Sequence, residues 1–160
     1  MAKKKQYWLM KSEPDAYSID DLERDGVEPW DGIRNYQARN FLRDKVQIGD
    51  RVLFYHSNAK PPGVVGIMEC VSGPEPDELA FDTKSKYYDP KSDPEDPTWI
   101  QRQMKFVKKL PRMVTLTELK EEPELEEMLV VRKGQRLSIQ PVEKEHYDHV
   151  LKMAKRSAPS

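Results

Sequence analysis

Between Gly49 and Val71 the chain writes two strands with the turns that bound them, and this stretch constrains the fold more than any other. Gly49-Asp50 is a turn signal, and Arg51 to His56 is a run rich in aliphatic and aromatic side chains. Pro61-Pro62-Gly63 then turns the chain into a second apolar run, Val64 to Val71. Successive strand side chains point to opposite faces, so Phe54 and Tyr55 cannot fill the same core.

The remaining elements follow from the same kind of reading. Gln6 to Met10 is a buried first strand ending at Lys11. Ser18 caps a short helix, with Asp21 three residues on as a capping-box partner, Tyr17 and Leu22 placed for a hydrophobic staple, and Gly26 at its end. A second helix starts after Asn35, with Ala38, Phe41 and Leu42 on one face and Arg39 and Arg43 on another. Trp99 to Leu110 is a long, bulged strand, followed by short helices over Thr115 to Lys120 and Pro123 to Met128. Arg136 to Val142 is a last strand. A terminal helix from Glu143 carries Tyr147, Val150, Leu151 and Ala154 as its buried stripe, and the tail Lys155 to Ser160 frays. Strands interleaved with short helices, without regular βαβ alternation, predict an α+β fold around a small curled mixed sheet. One domain spans residues 1–160, with its core over about 6–154.

Composition excludes several classes. No run approaches the roughly 20 apolar residues needed to cross a bilayer, so no membrane partner is expected. A single cysteine, Cys70, and a Lys3-Lys4-Lys5 start without a secretory apolar core point to a reducing, cytoplasmic compartment. Residues 74–97 hold eight acidic residues against three lysines and five of the 13 prolines, which reads as an acidic surface loop. That segment carries −5, and because the whole chain carries −1 the remainder carries +4. Such a field is too weak for a non-specific duplex binder, so any nucleic-acid role must lean on a specific pocket. There is no phosphate-binding glycine loop, nucleophile elbow or Cys-x-x-Cys pair. His146 and His149 read as surface residues of the last helix, Asp89, Asp93 and Asp96 as loop carboxylates, and Cys70 as a small core residue. No metal and no cofactor is expected.

Three stretches resist explanation as core. Lys11-Ser12-Glu13-Pro14 puts an amine, a hydroxyl and a carboxylate at a strand exit, though four such residues also suit a plain charged loop. In Trp30-Asp31-Gly32-Ile33-Arg34-Asn35-Tyr36, Arg34 stands at the mouth of a helix capped by Asn35. Trp30 or Tyr36 offers a flat face for a base. Trp30 as a core aromatic and Arg34 as a surface ion pair is the competing account. Tyr55-His56-Ser57-Asn58 ends a strand with groups able both to donate and to accept, and a simple turn explains it equally.

Taken in order, WLMKSEP (8–14), WDGIRNYQARN (30–40), FYHSN (54–58), PPGVVGI (61–67) and RLSIQPV (136–142) resemble the EVE domain family from about Gln6 to Met153. The resemblance implies a PUA-like fold, a small curled β-barrel with helices packed around it, and kinship with YTH domains, which cage a methylated adenine. It implies a reader of modified DNA bases, particularly modified cytosines. Its pocket would be lined or supported by Lys11, Ser12, Glu13, Trp30, Arg34, Asn35, Tyr36, Tyr55, His56, Ser57 and Trp99. Arg34, Arg39 and Arg43 would meet phosphates. The expected partner is nucleic acid, DNA before RNA. Two other functions stay open: an enzyme acting on modified nucleobases, with Glu13 or His56 moving a proton, and a protein-interaction adaptor working through the 74–97 segment.

Overall fold

The alternation at Phe54 and Tyr55 sets the layout, because each residue joins a different core on either side of one sheet. The computed structural model describes residues 5–134 and 136–156. Strands β3 (Arg51–His56) and β4 (Gly63–Cys70) form the antiparallel pair around the Pro61-Pro62-Gly63 turn. Strand β1 (Tyr7–Ser12) runs parallel to β3 and antiparallel to β7 (Ile139–Val142). On the far side of β4 lies β6 (Ile100–Thr115), which also holds β2 (Val27–Trp30) and the two-residue β5 (Glu75–Pro76).

The hydrogen-bonded path is β2-β6-β4-β3-β1-β7, with β5 attached to β6 and the two ends not paired to each other. The architecture is therefore α+β around an open, mixed, seven-stranded sheet, and strand pairing does not close the barrel implied by the resemblance. Both end strands are four residues long and contain a proline, Pro29 and Pro141. A residue without an N–H cannot extend a ladder, which suits an edge.

Trp8, Met10, Val52 and Phe54 point to one face and Leu9, Leu53 and Tyr55 to the other. The first face is covered by α1 (Ile19–Asp25) and α2 (Tyr36–Asn40), through Ile19, Leu22 and Ala38. The second is covered by α3 (Leu116–Glu121) and α4 (Lys144–Ala154), through Leu119, Tyr147, Val150 and Ala154. Each fully buried Leu or Val contributes about 1.5–3 kcal/mol over leaving it in water. Ser18 and Asp21 form the expected capping box on α1, and Gly26 ends it at φ 78°. Where β4 pairs with β6 beneath Ile19, a Cβ on Gly66 would lie 2.9 Å from the Lys108 carbonyl oxygen as well as 2.5 Å from Ile19 Cδ1, so only glycine fits.

Several sequence expectations shift. Strand β2 was not foreseen, because Val-Glu-Pro-Trp contains a proline and is too short to show a period. A π-helical turn, Phe41–Lys45, continues α2. Thr115 caps α3 through a second capping box with Glu118. Residues 123–128 hold a 3-10 turn over Pro123–Leu125 rather than a helix, and a second turn follows over Leu129–Val131. The last strand begins at Ile139 rather than Arg136. His146 and His149 are not surface residues. His146 is buried, and His149 packs against Glu122 and Glu124, its Nδ1 2.8 Å from Glu124 Oε2. Of the tail expected to fray, residues 157–160 lie outside the described part. Among the described residues no helix is long and apolar enough to cross a membrane.

Candidate functional site

Parallel pairing of β1 and β3 brings two chain exits to the same end of the sheet, with Ser12 opposite His56. The Ser57 N–H donates to the Ser12 carbonyl at 3.0 Å, and the Lys11 N–H donates to the Ser138 carbonyl at 2.9 Å. Together with the end of β2 they border a cleft of about 1030 Å³. Lys11, Ser12, Glu13 and Ser57 line one side, and Glu28 to Arg34 line the other. Tyr17, Asn58, Arg136 and Ser138 complete the rim, and Tyr87 reaches in from the acidic segment.

The Trp30 side is braced from behind. Trp30 is 7% exposed and packs edge-on against Phe54, with ring centroids 5.5 Å apart. Gly32 takes φ 74°, and a Cβ there would come 3.1 Å from the Tyr87 ring, so the residue must be small and left-handed. Asp77, fully buried, accepts from the Gly32 N–H at 2.8 Å and the Leu79 N–H at 2.8 Å, and from Arg34 Nη1 at 3.0 Å. Arg34 also donates to the Tyr87 carbonyl through Nε and Nη2, and its guanidinium lies 5.0 Å from the Trp99 ring centre. The segment 74–97 is therefore no free surface loop. Asp77, Ala80 and Ser92 are buried in it, Tyr87 lines the cleft, and Asp77 braces Gly32 and Arg34 from behind.

Across the cleft most polar groups already have partners. Ser12 Oγ donates to the Tyr17 carbonyl at 2.5 Å. His56 Nε2 accepts the Ile19 N–H at 3.1 Å, adding a cap to α1, and burial holds its imidazole below the usual range. Asn58, at φ 50°, donates to Glu13 Oε1 at 2.9 Å. Burial lowers the Lys11 ammonium from its ordinary value, and among the described residues no carboxylate pairs with it. Asp31 differs again. Burial first, then the nearby carboxylates of Asp77 and Glu28, push its acid up to about 6.

Five of the expected pocket residues lie outside this lining. Asn35 Oδ1 accepts the Ala38 N–H and so caps α2. Tyr36, 60% exposed, stacks on Trp99 with centroids 5.0 Å apart, and Arg39 lies 4.9 Å from its ring centre. Trp99 Nε1 donates to Asp89 at 2.8 Å. Tyr55 is buried on the α3–α4 side, where burial pushes its phenol up to about 12. His56 sits behind the wall as the cap to α1. Arg39 Nη1 donates to the Thr98 carbonyl, and Arg43 pairs with Asp44 at the surface.

Sequence reasoning passed over Glu28, Asp31, Tyr87, Arg136 and Ser138. Asp31 stands inside the WDGIRNYQARN block, among aromatic and basic residues whose recognition chemistry is more conspicuous. Nothing in the sequence pointed to Tyr87, since its segment has the composition of solvated loop. Asp89 and Asp93 each accept an N–H two residues on, as turn-forming carboxylates do. No cluster of three or more metal-ligating side chains occurs among the described residues.

The EVE domain family profile matches residues 6–153. Mouse thymocyte nuclear protein 1 is 40% identical, over 92% of this chain and 73% of its own length. A hypothetical protein from Leishmania major superposes with a TM-score of 0.89 at 45% identity, covering 95% of this chain and 96% of that one. The human THYN1 protein, solved in complex with 5-methylcytosine-containing DNA, superposes with a TM-score of 0.88 at 38% identity, covering 96% of this chain and 99% of that one.

Proposed function

The chain belongs to the EVE domain family, and from that premise we propose that it reads a modified base in nucleic acid, DNA before RNA and a modified cytosine before other bases. One observation carries the proposal: a cleft of about 1030 Å³ opens beside Trp30 and is not filled by the protein's own side chains. That is ample for an extruded nucleotide. The human relative's complex with 5-methylcytosine DNA supplies the ligand class.

In this reading Trp30 and Tyr87 present ring surface to the base, and Lys11, Ser12, Glu13, Arg34 and Ser57 surround it. Asn35, Tyr36, Tyr55, His56 and Trp99 hold the walls, while Arg39 and Arg43 meet phosphates. Extruding a base costs a few kcal/mol, and one aromatic partner returns about 1–3 kcal/mol. The near balance favours mismatched or single-stranded sites over intact duplex. We read the chain as one PUA-like domain in the cytoplasm, its single cysteine free and buried.

The reading is non-catalytic. His56 Nε2 is already an acceptor for the Ile19 N–H. A group so engaged is poorly placed to take a substrate proton. The acidic segment is tied into the cleft wall through Asp77, which favours a role in the cleft over a free adaptor.

The test is a binding titration against single-stranded oligonucleotides identical except at one position: 5-methylcytosine, 5-hydroxymethylcytosine, cytosine or an abasic sugar. A modified cytosine should bind tightest and the abasic site weakest. Equal affinity for all four would overturn the proposal.

A further inference from the structure

We propose that Asp31 reads the edge of the bound base, and that the base it selects carries a ring-nitrogen acceptor beside an exocyclic amine, as cytosine and adenine do. The inference rests on the reader function proposed above and names the group that gives it selectivity.

Two carboxylates flank the Gly32 backbone, and they are in opposite situations. Asp77 is saturated by two backbone N–H groups and the Arg34 guanidinium. Asp31 lines the cleft; its own backbone N–H bonds its carboxyl, and among the described residues no other side chain hydrogen-bonds or ion-pairs with it. The charges that act on it are Asp77, Glu28 on β2, and Arg34, whose N–H groups already serve Asp77, Tyr87 and Ile33. Around the rest of the cleft stand Lys11, Glu13, Tyr17, Tyr87 and Arg136. A partly buried carboxyl that no other side chain engages keeps acceptor capacity that a ligand can fill. A neutral acid near pH 6 agrees with this setting.

The chemistry narrows the ligand. An exocyclic amine donates one N–H to a carboxyl oxygen. The adjacent ring nitrogen has a lone pair, so a proton must lie between it and the other oxygen. When Asp31 is already protonated that proton is its own; when it is ionised the proton comes from solvent, and binding takes up one proton per complex. The proton can also sit on the ring nitrogen, giving an amidinium-like base facing a carboxylate, and such charge-assisted bonds are the stronger kind. Guanine presents two donors on this edge and needs the ionised carboxylate, which reverses the pH trend. Thymine and uracil lack the amine and with it the charge-assisted form.

The experiment measures affinity of the whole chain for a single-stranded oligonucleotide bearing 5-methylcytosine, at about pH 6 and pH 8. Wild type, Asp31→Asn and Asp31→Ala are compared, with circular dichroism confirming that each is folded. Wild type should bind about fiftyfold tighter at the lower pH, since an acid with its midpoint near 6 is half protonated at pH 6 and only about one part in a hundred protonated at pH 8. Asp31→Asn offers an N–H and a C=O at every pH. It should therefore bind at pH 8 as wild type binds at pH 6, and its residual pH dependence measures every other group in the cleft. Asp31→Ala should be weak at both. A flat or reversed wild-type response, or Asp31→Asn as weak as Asp31→Ala, overturns the assignment while leaving a reader that binds. Loss of wild-type binding at both pH values overturns the reader function along with it.

Discussion

Along the β1–β3 side of the cleft, Ser12 bonds the Tyr17 carbonyl, His56 caps α1 and Asn58 holds Glu13. Across from it, on the β2 side, Asp77 and Arg34 are locked together, while among the described residues no other side chain bonds Asp31. Both sides draw on residues that look equally suited to recognition in a sequence. A polar side chain that closes a turn or caps a helix stabilises the fold and has little left to offer a ligand. A polar side chain that no other side chain engages keeps its hydrogen-bonding capacity for a ligand, at some cost to the fold.

The largest break in that contrast should come from Asp77→Ala. It strands the Arg34 guanidinium and leaves the Gly32 and Leu79 N–H groups without their acceptor. Removing one partner of such a pair costs about 3 kcal/mol or more, which urea unfolding would register as a lower midpoint with an unchanged slope. An unchanged midpoint would mean that the acidic segment does not brace the wall.

His56→Ala should cost less, about 1–2 kcal/mol for a lost helix cap. It also carries a pH signature. Burial lowers the folded-state pKa of His56, so the stability it contributes is present above the unfolded value and is lost as pH falls below about 6.5. Wild type should weaken on acidification through that window more than the variant does. Parallel stability curves would remove His56 from the account.

Asp31→Asn should have the smallest effect and the opposite sign. The folded-state acid is raised to about 6, so its stabilising contribution is full below pH 4 and is lost as pH rises through 6. The variant should therefore melt higher than wild type at pH 8, by about 1 kcal/mol once solvent screening is allowed for. It should match wild type near pH 4. Differential scanning calorimetry at the two pH values checks both halves. A variant less stable than wild type at pH 8 would show that Asp31 has a partner in the fold.

Local signals were legible wherever the cause was local. The Ser18 and Gly26 caps, the Asn35 cap and the Phe54/Tyr55 alternation all appear in the structure, because each depends on neighbours a few residues away. Strand β2 was hidden because its pairing with β6 lies about 75 residues away along the chain and is too short to write a period of its own. The role of the acidic segment is hidden for a related reason. Its composition is that of a solvated loop, and one buried residue, Asp77, turns it into a wall.

By itself the sequence determined the α+β class, the family, and the strand exits and Trp30 block where the unusual residues gather. Each of these is carried by short-range pattern or by matching blocks in order. Only the tertiary structure decided which of those residues are free to act. Whether Asp31 or Asp77 meets a cation, and whether His56 faces a ligand or the Ile19 N–H, depends on hydrogen bonds between segments 37 to 45 residues apart. No local pattern encodes such a partner, because the competition for each donor is settled only when the sheet brings the segments together.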